Sequence, residues 1–276
     1  MRRPLAALAA ALAIPTVATA QSTGIGQDFA DILKDAWFIA ESPARASGDD
    51  LRTAAILAGA TGTLLLVDEP VHEWLRDNPD SPVARALAPF GESSALNLLG
   101  RTRQFLLPFS GLLYAGGLAF DSRDLRDAGL GCATSNLTTT LTRRTVSTVL
   151  GRLRPEGDRG AFEFELFGGV GNWQMRSFPG GHSANVFSCA SFFNHRFDLG
   201  AADPVIWATA GAVGAARVVD EAHWLSDTVA GAAFGWSVGR GVAHRFRGRE
   251  AERAAGEPVA ERSMEPAIGI GWRIRF

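Results

Sequence analysis

Lysine is almost missing from this chain: of its 27 basic residues, Lys34 alone is a lysine and the rest are arginine. Net charge is also scarce. The formal value of -2 removes any electrostatic case for a nucleic-acid partner. Cysteine occurs twice, at Cys132 and Cys189, and neither has a second sulfur or a histidine at ligand spacing, which excludes a structural metal site built on them. Long apolar runs are absent too. The uncharged stretches 53–67 and 104–120 fall short of the ~18 residues a spanning helix needs, and the mean hydropathy is only +0.05. Tilted or paired short helices can still cross a thin bilayer, so the expectation is a soluble or membrane-edge bundle, with membrane association open. Apolar residues at 46% and charged residues at 20% exclude both disorder and a coiled coil.

The first twenty residues read as a targeting segment. Met1, Arg2 and Arg3 form a basic start, residues 5–17 an apolar run, and Ala18-Thr19-Ala20 a small-residue cleavage site. Export to the periplasm or cell envelope is the expectation. That compartment is oxidising, so Cys132 and Cys189 have the opportunity to pair. Both lie in small-residue or apolar helical stretches, where a buried free thiol is the commoner outcome, and two free thiols are expected.

Beyond the signal, residues 21–50 read as an amphipathic arm and 51–245 as one domain. Within it the apolar segments 53–67, 104–120, 183–193, 204–216 and 225–242 join a threonine-rich segment at 125–149. No strand-like alternation interrupts them, so the fold class is all-α, a helical bundle of about six core helices. Residues 156–176 form a long loop carrying Phe162, Phe164, Phe167 and Trp173. After a charge-rich linker, Ile268, Ile270, Trp272, Ile274 and Phe276 alternate with Gly and Arg as a short strand-like tail within 246–276.

Three segments carry the chemistry. In Gly151-Arg152-Leu153-Arg154-Pro155, Pro155 stops a helix and leaves Arg154 at its end; alone, this is an ordinary basic terminus. In Ser177-Phe178-Pro179-Gly180-Gly181-His182-Ser183, two glycines precede a helix start, a place where backbone N–H groups turn towards an anion. His182 stands at that mouth, able to pass a proton. The third segment holds Arg217, His223 and Asp227. His223 and Asp227 are four residues apart, so on one helix they share a face. A carboxylate on one ring nitrogen frees the other as nucleophile or base.

Read in order, Arg-Pro, Pro-x-Gly-His and Arg-x5-His-x3-Asp resemble the type 2 phosphatidic acid phosphatase and vanadium haloperoxidase superfamily. That resemblance implies a phosphatase acting on monoesters or diphosphates of a small molecule or lipid, without metal or other cofactor. It implies that His223 attacks phosphorus, Asp227 orients its ring, and His182 protonates the leaving oxygen. Arg154 and Arg217 then clamp the phosphate with the N–H groups of Gly180 and Gly181. The family's lysine, seven residues before Arg154, is Ser147 here. Arg143 and Arg144, about one helical turn earlier, are the candidates to replace it. Gly180 and Ala216 stand where the family has serine. The alternatives are a vanadate-dependent haloperoxidase-like oxidoreductase and an envelope binding protein that keeps the fold without turnover.

Overall fold

The structure is a computed structural model that describes residues 3–4 and 24–255. The expected signal sequence, apart from residues 3–4, and the strand-like tail lie outside the described residues. Nine α-helices occur among the described residues: α1 Ile25–Ala40, α2 Gly48–Leu65, α3 Asp68–Asp77, α4 Pro82–Leu87, α5 Leu107–Ala119, α6 Arg123–Leu150, α7 Gly181–Arg196, α8 Ala202–Val219 and α9 Leu225–Ala255. A two-residue parallel pairing joins β1, Arg3–Pro4, to β2, Phe197–Asp198, in the register Arg3 to Phe197. The fold is mostly helical, as the periodicity requires.

Local chemistry sets the helix limits. Ser47 and Asp50 close a reciprocal capping box on α2, and Ser81 caps α4 ahead of Pro82 at its first turn. α6 ends where Gly151 turns left-handed, at φ 52°, a conformation that glycine adopts without a Cβ penalty. At the centre, α7 lies against α9, and α6 packs on α5 and α7. The α7–α9 approach depends on Gly231, Gly235 and Gly239, which recur every four residues along one face of α9. A Cβ at these positions would run into the backbone of Gly180, Ala184 and Ser188 respectively. On the α6 side the Phe192 ring lies against Gly131, where a Cβ would overlap it, and it meets Phe197 and Phe246 edge to face.

Two expectations change. The charge-rich stretch from residue 246 is not a linker in its described part, because α9 continues to Ala255. Its arginines are taken up by α1: Arg245 Nε donates to Asp35 Oδ1 at 2.9 Å, and Arg249 pairs with the other oxygen. The arm is thereby clipped to the bundle, and Arg126 and Tyr114 hold it again at Asp28. Burying its acids turns the helix inside out. Ile25, Phe29, Leu33 and Trp37, one turn apart, face solvent. Among the described residues no single helix is long and apolar enough to cross a membrane, although α2 and α3, bent by 48°, pass that test as a pair.

The second change concerns the cysteines. Cys132 on α6 and Cys189 on α7 are joined in a disulfide, with Cα atoms 4.8 Å apart. Close packing of two small-residue helices brought together sulfurs that sequence spacing left independent. The bond closes a 57-residue separation, for which chain entropy gives a stabilisation of about 4 kcal/mol. Reduction is therefore expected to lower the melting temperature by on the order of 10 °C in a domain of this size. Scanning calorimetry with and without a reductant checks this.

Candidate active site

The two candidate histidines meet at one cavity of about 350 Å³, lined by α6, the 101–104 segment, the 173–176 segment and the start of α7. His182, His223, Arg154, Arg143 and Gly181 all line it. Two imidazoles some forty residues apart in sequence thus share one hollow.

Arg154 does not project from a helix end, as its proline suggested. Beyond Gly151 the chain runs extended and is held on both sides. Leu153 N–H donates to Glu163 O, Arg154 N–H to Gln174 O, and Ser177 N–H to Arg152 O. The Arg154 guanidinium donates to Ala222 O at 2.9 Å and stacks 5.0 Å from the Trp173 ring centre. Its Nε is buried without a partner.

His223 and Asp227 do not share a helix, because α9 begins at Leu225. Asp227 instead lies in the first turn and caps it, accepting from Trp224 N–H at 2.9 Å. His223 Nδ1 lies 3.8 Å from Asp227 Oδ2. Ser177 Oγ stands between them, 3.3 Å from Nδ1 and donating to Asp227 at 2.5 Å. Since that hydroxyl proton is committed to the carboxylate, Nδ1 is the donor and Nε2 is left as the free lone pair.

Behind Asp227 sits a buried network that the motifs did not reveal. Arg152, fully buried, donates to Asp227 Oδ1 at 2.7 Å, to Asp68 Oδ2 at 2.7 Å and to Ser226 Oγ at 2.7 Å. Asp68 in turn accepts from Ser226 N–H at 2.8 Å. Asp68 lies 84 residues from Arg152, so nothing local could flag it. Ser177 and Arg152 were within the quoted motifs; the doubled arginine of Arg-Leu-Arg-Pro was the available signal.

The remaining expected phosphate ligands divide. Gly180 N–H is spent on Asp227 O at 2.8 Å, so it is no oxyanion donor. The glycine is needed there for space, since a Cβ would stand 2.9 Å from that same oxygen. Gly181 lines the cavity in its place. Arg217 is not among the lining residues. Its two terminal nitrogens are held by Asp220 at 3.0 Å and Glu92 at 3.3 Å. It still acts on both histidines through its charge. Arg143 and Arg144 also separate. Arg143 reaches the floor beside Gly181, with Pro179 O as its acceptor at 3.4 Å, while Arg144 is exposed at the rim. Ser147 is fully buried and bonds back to Arg144 O.

The electrostatics follow from burial and crowding. Burial, then the charge of Arg217 and the neighbouring His223, lower His182 to about 2. Burial lowers His223 to about 4, with Asp227 opposing and Arg154 adding to the fall. Burial alone would raise Asp227, but the His223 hydrogen bond and Arg152 outweigh it and hold the carboxyl low. Burial and then Arg154, Arg144 and Arg176 bring Arg143 down to about 10, still charged at neutral pH. Both histidines bind protons less readily folded than unfolded. Their contribution to stability is therefore full above the ordinary value of 6.5 and is lost as pH falls from there towards 4. The melting temperature is expected to drop between pH 7 and pH 4.5, and His223→Asn to flatten that drop.

Among the described residues no group of three His, Cys, Asp or Glu side chains could hold a metal ion. Residues 125–250 match the PAP2 superfamily model. Two curated relatives are both named lipid A 1-phosphatase. That of Porphyromonas gingivalis is 33% identical over 93 residues, covering 32% of this chain and 17% of the relative. That of Rhizobium etli is 29% identical over 183 residues, covering 63% of this chain and 74% of the relative. The chain thus spans a small part of the first relative and about three quarters of the second. No solved structure matches.

Proposed function

Through residues 125–250 the chain belongs to the PAP2 superfamily, and from that premise we propose that it hydrolyses phosphate esters or anhydrides of lipid-linked substrates through a phosphohistidine. One observation carries the reading: His182 and His223 face the same arginine-lined cavity, and Ser177 and Asp227 fix the His223 tautomer. His223 Nε2 attacks phosphorus, and the ester or anhydride P–O bond breaks. His182 delivers a proton to the departing oxygen and then draws one from the water that cleaves the phosphorus–nitrogen bond.

Arg154 and Arg143 neutralise the non-bridging oxygens, Arg143 standing in for the family's lysine; Arg217 adds charge from behind. Phosphoryl transfer needs positioning and charge neutralisation above all, and guanidinium forks supply both without a metal ion. The names of the two relatives favour a phosphorylated lipid. So does the surface beside the cavity, where Phe162, Leu166, Phe167, Val170 and Trp173 are exposed and suited to acyl chains or a bilayer edge. The outward apolar stripe of α1 supports the same envelope setting. The carboxylate-bound Arg217 favours a second reading, a binding protein of this fold without turnover.

Release of inorganic phosphate from a phosphorylated lipid in excess EDTA, inhibited by orthovanadate, is the expected result. Tight lipid binding with no release on any substrate would favour the second reading. The pH profile is a further check. His223 stays unprotonated down to about 4, so the acid limb of kcat/KM belongs near that value. Because burial and the neighbouring positive charge keep His182 neutral, the transferred proton arrives with the substrate monoanion. The alkaline limb therefore belongs near the phosphate's second pKa of ~6. An optimum above pH 8 would contradict this proton inventory.

A further inference from the structure

The cavity holds more positive charge than one phosphate needs. Arg101, Arg103, Arg143, Arg144, Arg154 and Arg176 all line it, and no carboxylate does. Elsewhere the buried arginines are paired. Arg152 has Asp68 and Asp227, Arg196 has Asp127 and Glu250, and Arg249 has Asp35. Arg101, Arg103 and Arg144 have no carboxylate within ion-pair distance among the described residues, and Arg101 Nε is buried without any partner. Three positive groups gathered without counter-charges repel one another, and an anion seated among them relieves that repulsion. None of them belongs to the pair, Arg143 and Arg154, that serves the scissile group. Arg101 and Arg103 come from the turns before α5, and Arg144 from the outer face of α6. At about 350 Å³ the cavity falls in the range that encloses a drug-sized ligand.

We propose that Arg101, Arg103 and Arg144 form a second oxyanion subsite, which takes a further phosphoryl group of the same substrate while the first is transferred. This rests on the phosphatase reading above and narrows its substrate class to molecules carrying two phosphoryl groups. The second group is either joined to the first as a diphosphate or borne elsewhere on the headgroup. The chemistry is unchanged in balance. The bond from His223 Nε2 to phosphorus forms, the P–O bond to the remaining phosphate or sugar breaks, and that oxygen takes the proton from His182. Water then completes the hydrolysis.

The test compares the full chain with its Arg103→Gln/Arg144→Gln variant, both positions being exposed and so tolerant of change. Phosphate release is measured on p-nitrophenyl phosphate, geranyl diphosphate and glucose 1,6-bisphosphate. The parent protein should favour one of the two doubly phosphorylated substrates by about tenfold or more in kcat/KM, as expected for added charge-assisted hydrogen bonds. Which one is favoured tells an adjacent second phosphate from a separated one. The variant should lose that preference through KM, with p-nitrophenyl phosphate turnover held within about threefold. An equal loss on all three substrates, or no preference in the parent, overturns the subsite. If no substrate is turned over, the phosphatase reading fails but the subsite is still read by calorimetry. Pyrophosphate should then bind the parent about tenfold more tightly than phosphate and lose that advantage in the variant; equal advantage in both proteins overturns it.

Discussion

Alanine in place of His223 is expected to stop phosphate release, with kcat falling by about 10⁴-fold or more. No other side chain can take over. His182 has its Nε2 buried in the same cavity, but it has no hydroxyl or carboxylate to fix its tautomer. In His223, Nδ1–H is directed to Ser177 and Asp227, which leaves Nε2 as a free lone pair in a side chain that lines the cavity. Added imidazole should restore part of the activity by occupying the vacated space. Asp227→Asn should leave the nucleophile present but wrongly oriented, at a cost of about 10²–10⁴-fold. Rapid-quench experiments with a labelled phosphate would show an acid-labile phosphoenzyme in the parent and none in His223→Ala. A His223→Ala protein that keeps more than about a tenth of its activity removes this residue from the mechanism.

Replacing Arg152 with methionine should be the most damaging single change to the fold. The guanidinium is fully buried and is the ion-pair partner of both Asp68 and Asp227. Its removal leaves two buried carboxylates without a counter-charge, which costs about 3–5 kcal/mol. For a domain of this size the melting temperature should fall by roughly 10–15 °C. Activity should change in a way that loss of packing alone does not explain. Without Arg152 the Asp227 carboxyl rises towards neutrality, its grip on Nδ1–H weakens, and the acid limb of kcat/KM moves to higher pH. Asp68→Asn in the Arg152→Met background should recover part of the stability, because one of the stranded charges is then gone. Calorimetry and a pH–rate profile on the soluble fraction check both effects. If Arg152→Met melts within 2–3 °C of the parent protein, the buried network does not carry this weight.

The helices were legible in the chain because their cause is local. Apolar runs and a threonine-rich segment place α2, α6, α7 and α8 to within five residues of where they lie. The site was legible as a set of residue types in order, since His182, His223 and Arg154 do meet at one cavity. Their supports were not. Asp68, Ser177 and Arg152 become one network only through pairings 50–84 residues apart. The assignment of Gly180 to the phosphate failed because its N–H is claimed by a carbonyl on another segment.

Composition and motif order, acting through periodicity, determined a mostly helical bundle and marked the two histidines and the arginine that meet at one cavity. Tertiary packing decided the rest. It chose Arg143 over Arg144 for the cavity floor, turned Arg217 towards Asp220 and Glu92, joined Cys132 to Cys189, and folded the charged end of α9 onto α1. Each of these outcomes depends on which groups approach across helices. A linear sequence specifies the side chains available for such contacts, while the distances between them exist only once the glycine-lined faces of α7 and α9 have closed.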